Sequence, residues 1–191
     1  MRTFILYTNK GHTDQNFLLE DLPGSGGRMD LIARFITTTM FTSHKMRQDT
    51  RVFVVLNGPP NPPVTIEITS SVRKIGVDER SVSIWIKKLL ERLEGFETAR
   101  LYNGLKADRR NFSQLLTDLK SEGTFYYLHE KGTSIKKTKL AKNPIFILGD
   151  HLGIPSAEEK IASKVSKKLS LGKTSYLASS CVSILHWHLD K

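Results

Sequence analysis

Two apolar segments that end at glycine are the first places where this chain could bind a ligand. The run at 145–148 reads Ile-Phe-Ile-Leu and is followed by Gly149, and a second segment, 169–171, is followed by Gly172. Glycine lets a ligand come close to the backbone, and strands that stop in this way are typical of ligand-binding edges in α/β proteins. The spacing therefore predicts a ligand site near these two glycines, shortly before the only cysteine, Cys181.

A third glycine-rich segment, 24–27, precedes a predicted helix. It fails the dinucleotide-binding fingerprint because the third glycine of that pattern would fall on Met29, and because a long loop rather than a strand precedes it. Such a loop can still bind a phosphate or a carboxylate through free backbone amides, and Arg28 would add a guanidinium group. A flexible turn is an equally good interpretation, and the sequence leaves both open.

Two other candidate sites fail on spacing. The segment 172–174, Gly-Lys-Thr, resembles the end of a phosphate-binding P-loop, but the first glycine of that pattern would fall on Lys167. Asp150 and His151 follow a strand, yet no second histidine or carboxylate stands at metal-ligand spacing, so we expect no metal site.

Cys181 falls on the apolar face of a predicted terminal helix. A lone cysteine there is most often a small packing residue, and a single cysteine excludes an internal disulfide. A nucleophilic cysteine would want a neighbouring base or the first turn of a helix, and the predicted helix begins well before it. Packing beside a ligand is the intermediate possibility.

The chain is basic, with 29 Lys and Arg residues against 19 Asp and Glu residues and a formal net charge of +10. Such a field attracts polyanions, so nucleic acid is the partner class that the charge favours. An ordinary solvated basic surface is an equally good interpretation. Lys164, Lys167 and Lys168 form one basic cluster, and the candidate RNA contacts are Lys136, Lys137, Lys139, Lys142, Arg109 and Arg110.

Strand-like and helix-like segments alternate along the chain. The pattern predicts strands at 4–8, 51–57, 64–68, 124–128, 145–148 and 168–171. It predicts helices at 29–42, 78–93, 112–122, 157–165 and from Ser175 onward, and a loop with a short strand at 96–111. This alternation predicts an α/β fold with a mostly parallel sheet flanked by helices, and the length of 191 residues predicts a single domain, 1–191.

The expected location is the cytoplasm. No apolar run is long enough to cross a bilayer, and the first residues read better as a strand than as a signal peptide. A single cysteine also suits a reducing compartment.

Five segments together carry a resemblance to a known family. They are LPGSGGRMD at 22–30, NGPPNPP at 57–63, DER at 78–80, YLH at 127–129 and LGDHLG at 148–153. In this order along nearly the whole chain, they resemble the archaeal tRNA pseudouridine N1-methyltransferase family (TrmY) of the SPOUT superfamily. The two loops rich in proline and glycine make the resemblance specific.

The resemblance implies a SPOUT-type fold whose C-terminal part, from about 124 to 191, is threaded into a deep trefoil knot that binds S-adenosylmethionine. Such knots are exceptions to the rule that chains do not thread their own loops. Backbone groups would hydrogen-bond the adenine and the hydroxyls while apolar side chains hold the ring, so that Cys181 becomes a pocket wall and not a nucleophile. The implied cofactor-binding residues are Leu128, Gly149, Leu169, Ser170, Leu171, Gly172 and Cys181.

The implied reaction is transfer of a methyl group to N1 of pseudouridine 54 in the T-loop of tRNA. Arg28 is the candidate for gripping phosphate or base, and Asp30 is the candidate general base or hydrogen-bond partner. An acidic residue at this place also favours a helix N-terminus without any catalytic role. The resemblance further implies a homodimer with packed knots, in which Arg28 of one subunit is a candidate to reach the cofactor of the other.

Two alternatives stay open. One is an rRNA pseudouridine N1-methyltransferase on the same scaffold, and the other is a non-catalytic basic RNA-binding module. The module would explain the charge, but it has no use for three strand ends of the ligand-binding kind.

Overall fold

An eight-stranded sheet organises the described part of the chain. The computed structural model describes residues 1–102 and 104–191. The strands are β1 Arg2–Thr8, β2 Thr50–Leu56, β3 Val64–Thr69, β4 Thr98–Arg100, β5 Leu105–Asp108, β6 Thr124–Ser134, β7 Pro144–Gly149 and β8 Lys167–Ser170. The helices are α1 Met29–Met40, α2 Glu79–Leu93, α3 Phe112–Asp118, α4 Ser156–Val165 and α5 Ala178–Leu189.

The sheet is mixed, in the order β4-β5-β3-β2-β1-β7-β6-β8. The five strands from β2 to β8 in that order pair in parallel, whereas β3, β5 and β4 pair antiparallel. The short loop 57–63 between β2 and β3 cannot hold the crossover that a parallel pair requires, so β3 turns back along β2. The predicted sheet flanked by helices is confirmed, and its parallel part is the half that ends at the candidate site.

Helices cover both faces of the sheet. On one face α1 packs against α2 and α5, and their apolar residues share a core with Phe4, Leu6 and Phe146. On the other face α3 and α4 cover a second, smaller core around Ile5, Phe53 and Ile147. Alternate residues of the central strands therefore serve two cores, which explains why those strands read as nearly continuous apolar runs.

Side-chain caps fix where two of the helices begin. Asp78 accepts a hydrogen bond from the backbone N–H of Ser81 at the start of α2. Asn111 and Gln114 form a reciprocal capping box at the start of α3. These caps satisfy backbone amides that the first turn of a helix leaves without partners.

Several predicted boundaries are wrong in detail: β6 continues to Ser134 beyond the predicted end at 128, and α3 ends at Asp118 before the predicted end at 122. The segment 96–111 contains two short strands, β4 and β5, where one was expected; Asn103, within that segment, lies outside the described residues. The strands span only three and four residues and carry charged side chains, so they have little apolar pattern to detect. The last helix begins at Ala178, after a non-helical segment that follows β8.

No helix within 1–102 or 104–191 has the length and apolar character needed to cross a membrane.

A buried histidine fastens α5 to the rest of the fold. The His186 side chain donates from Nε2 to the backbone carbonyl of Thr39 at 3.0 Å, and Arg2 donates to its Nδ1 at 3.2 Å. Arg2 and Arg47 both form ion pairs with Asp190, just after the end of α5. Burial lowers the pKa of His186 to about 4, and the positive charge of Arg47 adds to the effect.

Acidification should therefore weaken the fold through His186. Between the ordinary value of 6.5 and about 4, the unfolded chain binds a proton at His186 that the folded chain does not bind. This contribution to stability is present in full above pH 6.5 and is lost as the pH falls. We expect it to cost about 2 kcal/mol of unfolding free energy between pH 7 and pH 5.

Urea unfolding of the wild type and of His186→Gln at both pH values checks this expectation. The variant should lose less stability than the wild type on acidification, whereas His188→Gln, two residues further along α5, should follow the wild type. Equal losses in wild type and His186→Gln would show that His186 is not responsible.

Candidate functional site

A cavity of about 520 Å³ opens at the carboxyl ends of the parallel strands. Leu128 of β6, Gly149 of β7 and Leu169 of β8 contribute to its wall. The loop after β8 and the first turn of α5 close the opposite side. Its volume falls within the range of about 300–1,000 Å³ that is usual for sites of small organic ligands.

The structure brings most of the predicted cofactor-binding residues into this one wall. Ser170 is the exception, because its hydroxyl is engaged with the backbone N–H and carbonyl of Gly172, both at 3.2 Å, and its side chain does not line the cavity. Ser170 therefore holds the shape of the loop. The residues that do line the cavity are Leu128, Gly149, Leu169, Leu171, Gly172 and Cys181.

A tight turn after β7 forms the floor of the cavity. A Cβ added at Gly149 would lie 2.7 Å from the backbone carbon of Gly153, so the turn closes only around glycine. The carboxylate of Asp150 accepts hydrogen bonds from the backbone N–H and side-chain amide of Asn9 and from the backbone N–H of Leu152, at 2.7–2.8 Å. Asp150 thereby ties the turn to the end of β1.

This role of Asp150 was missed by sequence reasoning. From its place after a strand, Asp150 is a candidate metal ligand only. Its main partner, Asn9, is 141 residues away in the chain, and no local pattern signals that pairing. Among the residues that the structure describes, no three His, Cys, Asp or Glu side chains form a group that could hold a metal ion.

Cys181 lies in the first turn of α5, because the helix begins at Ala178. The sequence predicts a helix from Ser175, which places Cys181 beyond the first turn. Its Sγ lies 3.8 Å from the backbone carbonyl oxygen of Tyr176, and burial raises the pKa of the thiol to about 11. The thiol is therefore protonated at neutral pH, and only the thiolate is a good nucleophile. The geometry supports a wall residue.

Arg28 and Asp30 form a tight pair beside the cavity. Nε and Nη2 of Arg28 each donate to a different oxygen of Asp30 at 3.0 Å, and the next residue, Leu31, lines the cavity. The backbone of Arg28 is left-handed, with φ 71°, which directs the chain from the glycine loop into α1. Arg28 also lies within electrostatic range of Asp150, whose charge helps to raise the arginine's pKa.

The charge state of Asp30 argues against its role as a base. Burial alone would raise the pKa of this carboxyl, but the hydrogen bonds and charge of Arg28 outweigh burial and hold the pKa below its usual range. A carboxylate with a lowered pKa and both oxygens engaged is a weak proton acceptor. Asp30 is instead well placed to fix the orientation of the Arg28 guanidinium.

Most backbone amides of the glycine loop before α1 are already hydrogen-bonded within the loop. The backbone N–H groups of Gly27, Arg28 and Met29 donate to carbonyls of residues 24, 23 and 22. A Cβ at Gly27 would lie 1.7 Å from the carbonyl oxygen of Lys10, so the glycine serves a close crossing of two backbones. Of the two interpretations left open by the sequence, anion binding by this loop is not supported by the geometry.

The proline-rich loop packs onto the same crossing. The backbone N–H of Gly58 donates to the carbonyl of Gly11, and that of Thr13 donates to the carbonyl of Pro59, both at 2.9 Å. The two loops that distinguish the sequence therefore form one surface at the ends of β1 and β2, next to Arg28.

The cavity wall has a charge opposite to that of the chain. Among the described residues that line it are two carboxylates, Glu130 and Asp150, and no lysine or arginine. The exposed lysines Lys136, Lys137 and Lys139 lie in the connection between β6 and β7. Arg110, by contrast, forms ion pairs with Asp108 and Asp118, which largely neutralise its positive charge.

Comparisons with known proteins agree over the full length. The family model described as "Putative SAM-dependent RNA methyltransferase" matches residues 1–191. A relative from Thermococcus kodakarensis, named tRNA (pseudouridine(54)-N(1))-methyltransferase, is 38% identical over 196 residues, covering 100% of this chain and 99% of its own length. One of the same name from Methanocaldococcus jannaschii is 38% identical over 200 residues, covering 100% of this chain and 97% of its own.

A solved structure shares the fold. Nep1 of Archaeoglobus fulgidus, bound to S-adenosylhomocysteine, aligns with a TM-score of 0.66 at 14% sequence identity, covering 98% of this chain and 96% of its own.

Proposed function

We propose that this chain, which belongs to the SAM-dependent RNA methyltransferase family, transfers a methyl group from S-adenosylmethionine to N1 of pseudouridine 54 in tRNA. The observation that carries the proposal is the match, at 38% identity and over essentially full length, to relatives named for that reaction. The cavity at the strand ends supplies a site of suitable size and lining.

The residues of the cavity fit the cofactor. Leu128, Leu169 and Leu171 offer apolar surfaces for an adenine ring, and the lack of a side chain at Gly149 and Gly172 lets such a ring come close to the backbone. Cys181 closes the wall as a neutral thiol, and Ser170 contributes by holding the loop. When bound, S-adenosylmethionine supplies an activated methyl group on a sulfonium.

Positioning is the main contribution of the chain to such a transfer. Displacement at a methyl carbon requires the attacking nitrogen in line with the bond that breaks, and correct placement of two reactants accounts for much of the rate. Arg28 lies at the edge of the cavity, where its guanidinium can grip a phosphate or a base carbonyl. We assign Asp30 as a positioning residue that acts through Arg28.

Loss of the Asp30 charge should therefore impair use of tRNA rather than binding of the cofactor. For Asp30→Asn we expect kcat/KM for tRNA to fall about tenfold, the effect of losing one charge-assisted hydrogen bond. The dissociation constant of S-adenosylmethionine should change less than twofold. Steady-state kinetics with varied tRNA and equilibrium dialysis of the cofactor measure the two quantities.

Glu122→Gln is the matched control, because Glu122 is a carboxylate that pairs with Arg51 at the start of β2 and, among the described residues, with neither Arg28 nor Arg34. It should leave tRNA kinetics unchanged. If kcat and KM for tRNA are also unchanged in Asp30→Asn, the pair has no part in the reaction.

The exposed lysines are the proposed contacts for the tRNA backbone. Lys136, Lys137, Lys139 and Lys142 are exposed and take part in no ion pair among the described residues. Phosphate contacts of this kind release counterions, so tRNA affinity should fall steeply as salt rises. We place the reaction in the cytoplasm, the compartment that suits a tRNA substrate and a free thiol.

We also infer that the segment from 124 to 191 is threaded as a knot. Leu169 of β8 pairs with both Leu128 and Thr133 of β6, and the pairing register shifts between these two residues, so β6 contacts β8 a second time after the segment 129–132. A Cβ at Gly132 would lie 2.6 Å from the backbone of Leu169, which indicates how closely the two segments cross. A solved structure of the chain in which residues 171–191 pass outside the 128–134 segment would refute the knot.

A second copy of the chain is the proposed partner of the apolar surface next to the cavity. Tyr176 and Leu177 at its rim, just before α5, are 46% and 60% exposed, and Trp187 near the end of α5 is 63% exposed; large exposed apolar groups at both ends of one helix favour an interface. We expect sedimentation velocity to find a dimer at micromolar concentration and Trp187→Glu to shift it toward monomer. Phe96→Glu, at an equally exposed position before β4, should not. A wild type that is entirely monomeric would rule out the dimer.

The central test is transfer of a labelled methyl group. With S-adenosylmethionine labelled in the methyl group, we expect label in a tRNA transcript that carries pseudouridine at position 54 and none in the same transcript with uridine there. An rRNA fragment that contains pseudouridine serves as the second control.

Label in the rRNA fragment alone would support the rRNA enzyme instead. Binding of both RNA and cofactor without transfer to any RNA would overturn the proposed reaction.

A further inference from the structure

The charge of the cavity wall is unexpected in this chain. Lys and Arg outnumber Asp and Glu by 29 to 19 over the whole sequence. The described residues that line the cavity nevertheless include Glu130 and Asp150 and no lysine or arginine. The balance of charge in the wall is therefore the reverse of that in the whole chain. A preference of the pocket for a positively charged ligand would explain the difference.

The two carboxylates differ in how they are held. Three N–H donors from Asn9 and Leu152 fix Asp150 at the floor of the cavity. Glu130 is exposed at the rim, and no ion pair among the described residues involves it. Asp150 therefore combines a structural and an electrostatic role, whereas Glu130 has only the electrostatic one.

We propose that Glu130 and Asp150 make this pocket selective for the positively charged sulfonium cofactor over the neutral thioether product, with Glu130 as a specificity-determining residue. The inference rests on the proposed function and deepens it. In the proposed transfer the sulfur–methyl bond breaks and the new bond forms to N1, whose proton passes to solvent water. The bonding pair stays on sulfur, so the sulfur loses its positive charge. The two ligands otherwise share the adenosine and the amino-acid end.

A negative wall attracts the first ligand more than the second, because only the first carries the extra charge. The difference favours loading with S-adenosylmethionine and release of S-adenosylhomocysteine. It also repels phosphate groups, so that the RNA backbone and adenine nucleotides are kept out of the cofactor pocket. The basic surface outside the pocket remains free to bind them.

The experiment compares dissociation constants of S-adenosylmethionine and S-adenosylhomocysteine, measured by calorimetry without RNA. We choose pH 8, where histidine is ordinarily neutral, because His129 and His151 also line the cavity. For Glu130→Gln we expect S-adenosylmethionine to bind about threefold or more weaker, with a smaller change for the thioether. The ratio of the two dissociation constants should become similar in the variant and the wild type at high salt, because screening weakens the attraction between Glu130 and the sulfonium.

Two further variants separate charge from shape. Glu130→Asp keeps the charge and should restore most of the preference for the sulfonium. Glu97→Gln makes the same charge change at an exposed position before β4, at the opposite edge of the sheet, and should leave both constants unchanged. Equal weakening of both ligands in Glu130→Gln, or a change that salt does not affect, would overturn the inference.

The failure of the inference is distinguishable from that of the proposed function. A wild-type protein that binds neither ligand contradicts the proposed function and the inference with it. One that binds both, methylates tRNA and shows the same ligand preference after Glu130→Gln contradicts the inference alone.

Discussion

The position of β8 beside β6 determines where a ligand can bind. Leu169 pairs with Leu128 and also with Thr133, with a shift of register between the two, so β6 contacts β8 twice. The chain leaves β8 at the sheet edge and reaches the opposite layer, where α5 packs on α1. That return path carries Gly172 and Cys181 across the strand ends and creates the far wall of the cavity. Without this segment, the carboxyl ends of the strands would lack the far wall of the cavity.

A second constraint joins the two halves of the site. The turn after β7 and the end of β1 are held together by Asp150 and Asn9, and Arg28 lies within range of the same charge. The crossing of Lys10 and Gly27 then fixes the loop that presents Arg28. The proposed cofactor side and the proposed RNA side of the site are thus parts of one hydrogen-bonded edge.

The sequence predicts this site through its local features and misses those that depend on distant contacts. Apolar runs ending at Gly149 and Gly172 are local signals, and the structure places both glycines in the cavity wall. The hydroxyl of Ser170 is bonded within its own loop, and most amides before α1 are bonded within theirs. Neither arrangement can be predicted from the types of residue in these loops. Only one short strand is predicted where the antiparallel part of the sheet has both β4 and β5, because these strands are short and charged.

The distribution of charge gives the basic composition a more specific meaning. A net charge of +10 would favour RNA equally at every surface if it were evenly spread, and would then draw phosphates into the cavity as well. The exposed lysines between β6 and β7 and the carboxylates Glu130 and Asp150 instead separate two kinds of surface within a short stretch of chain. Arg28 lies beside the cavity, with its guanidinium held by Asp30 and its charge partly offset by Asp150. A polyanion drawn to the basic surface is repelled by the carboxylates of the cavity wall. An uncharged base meets no such repulsion, which fits the proposed transfer to pseudouridine.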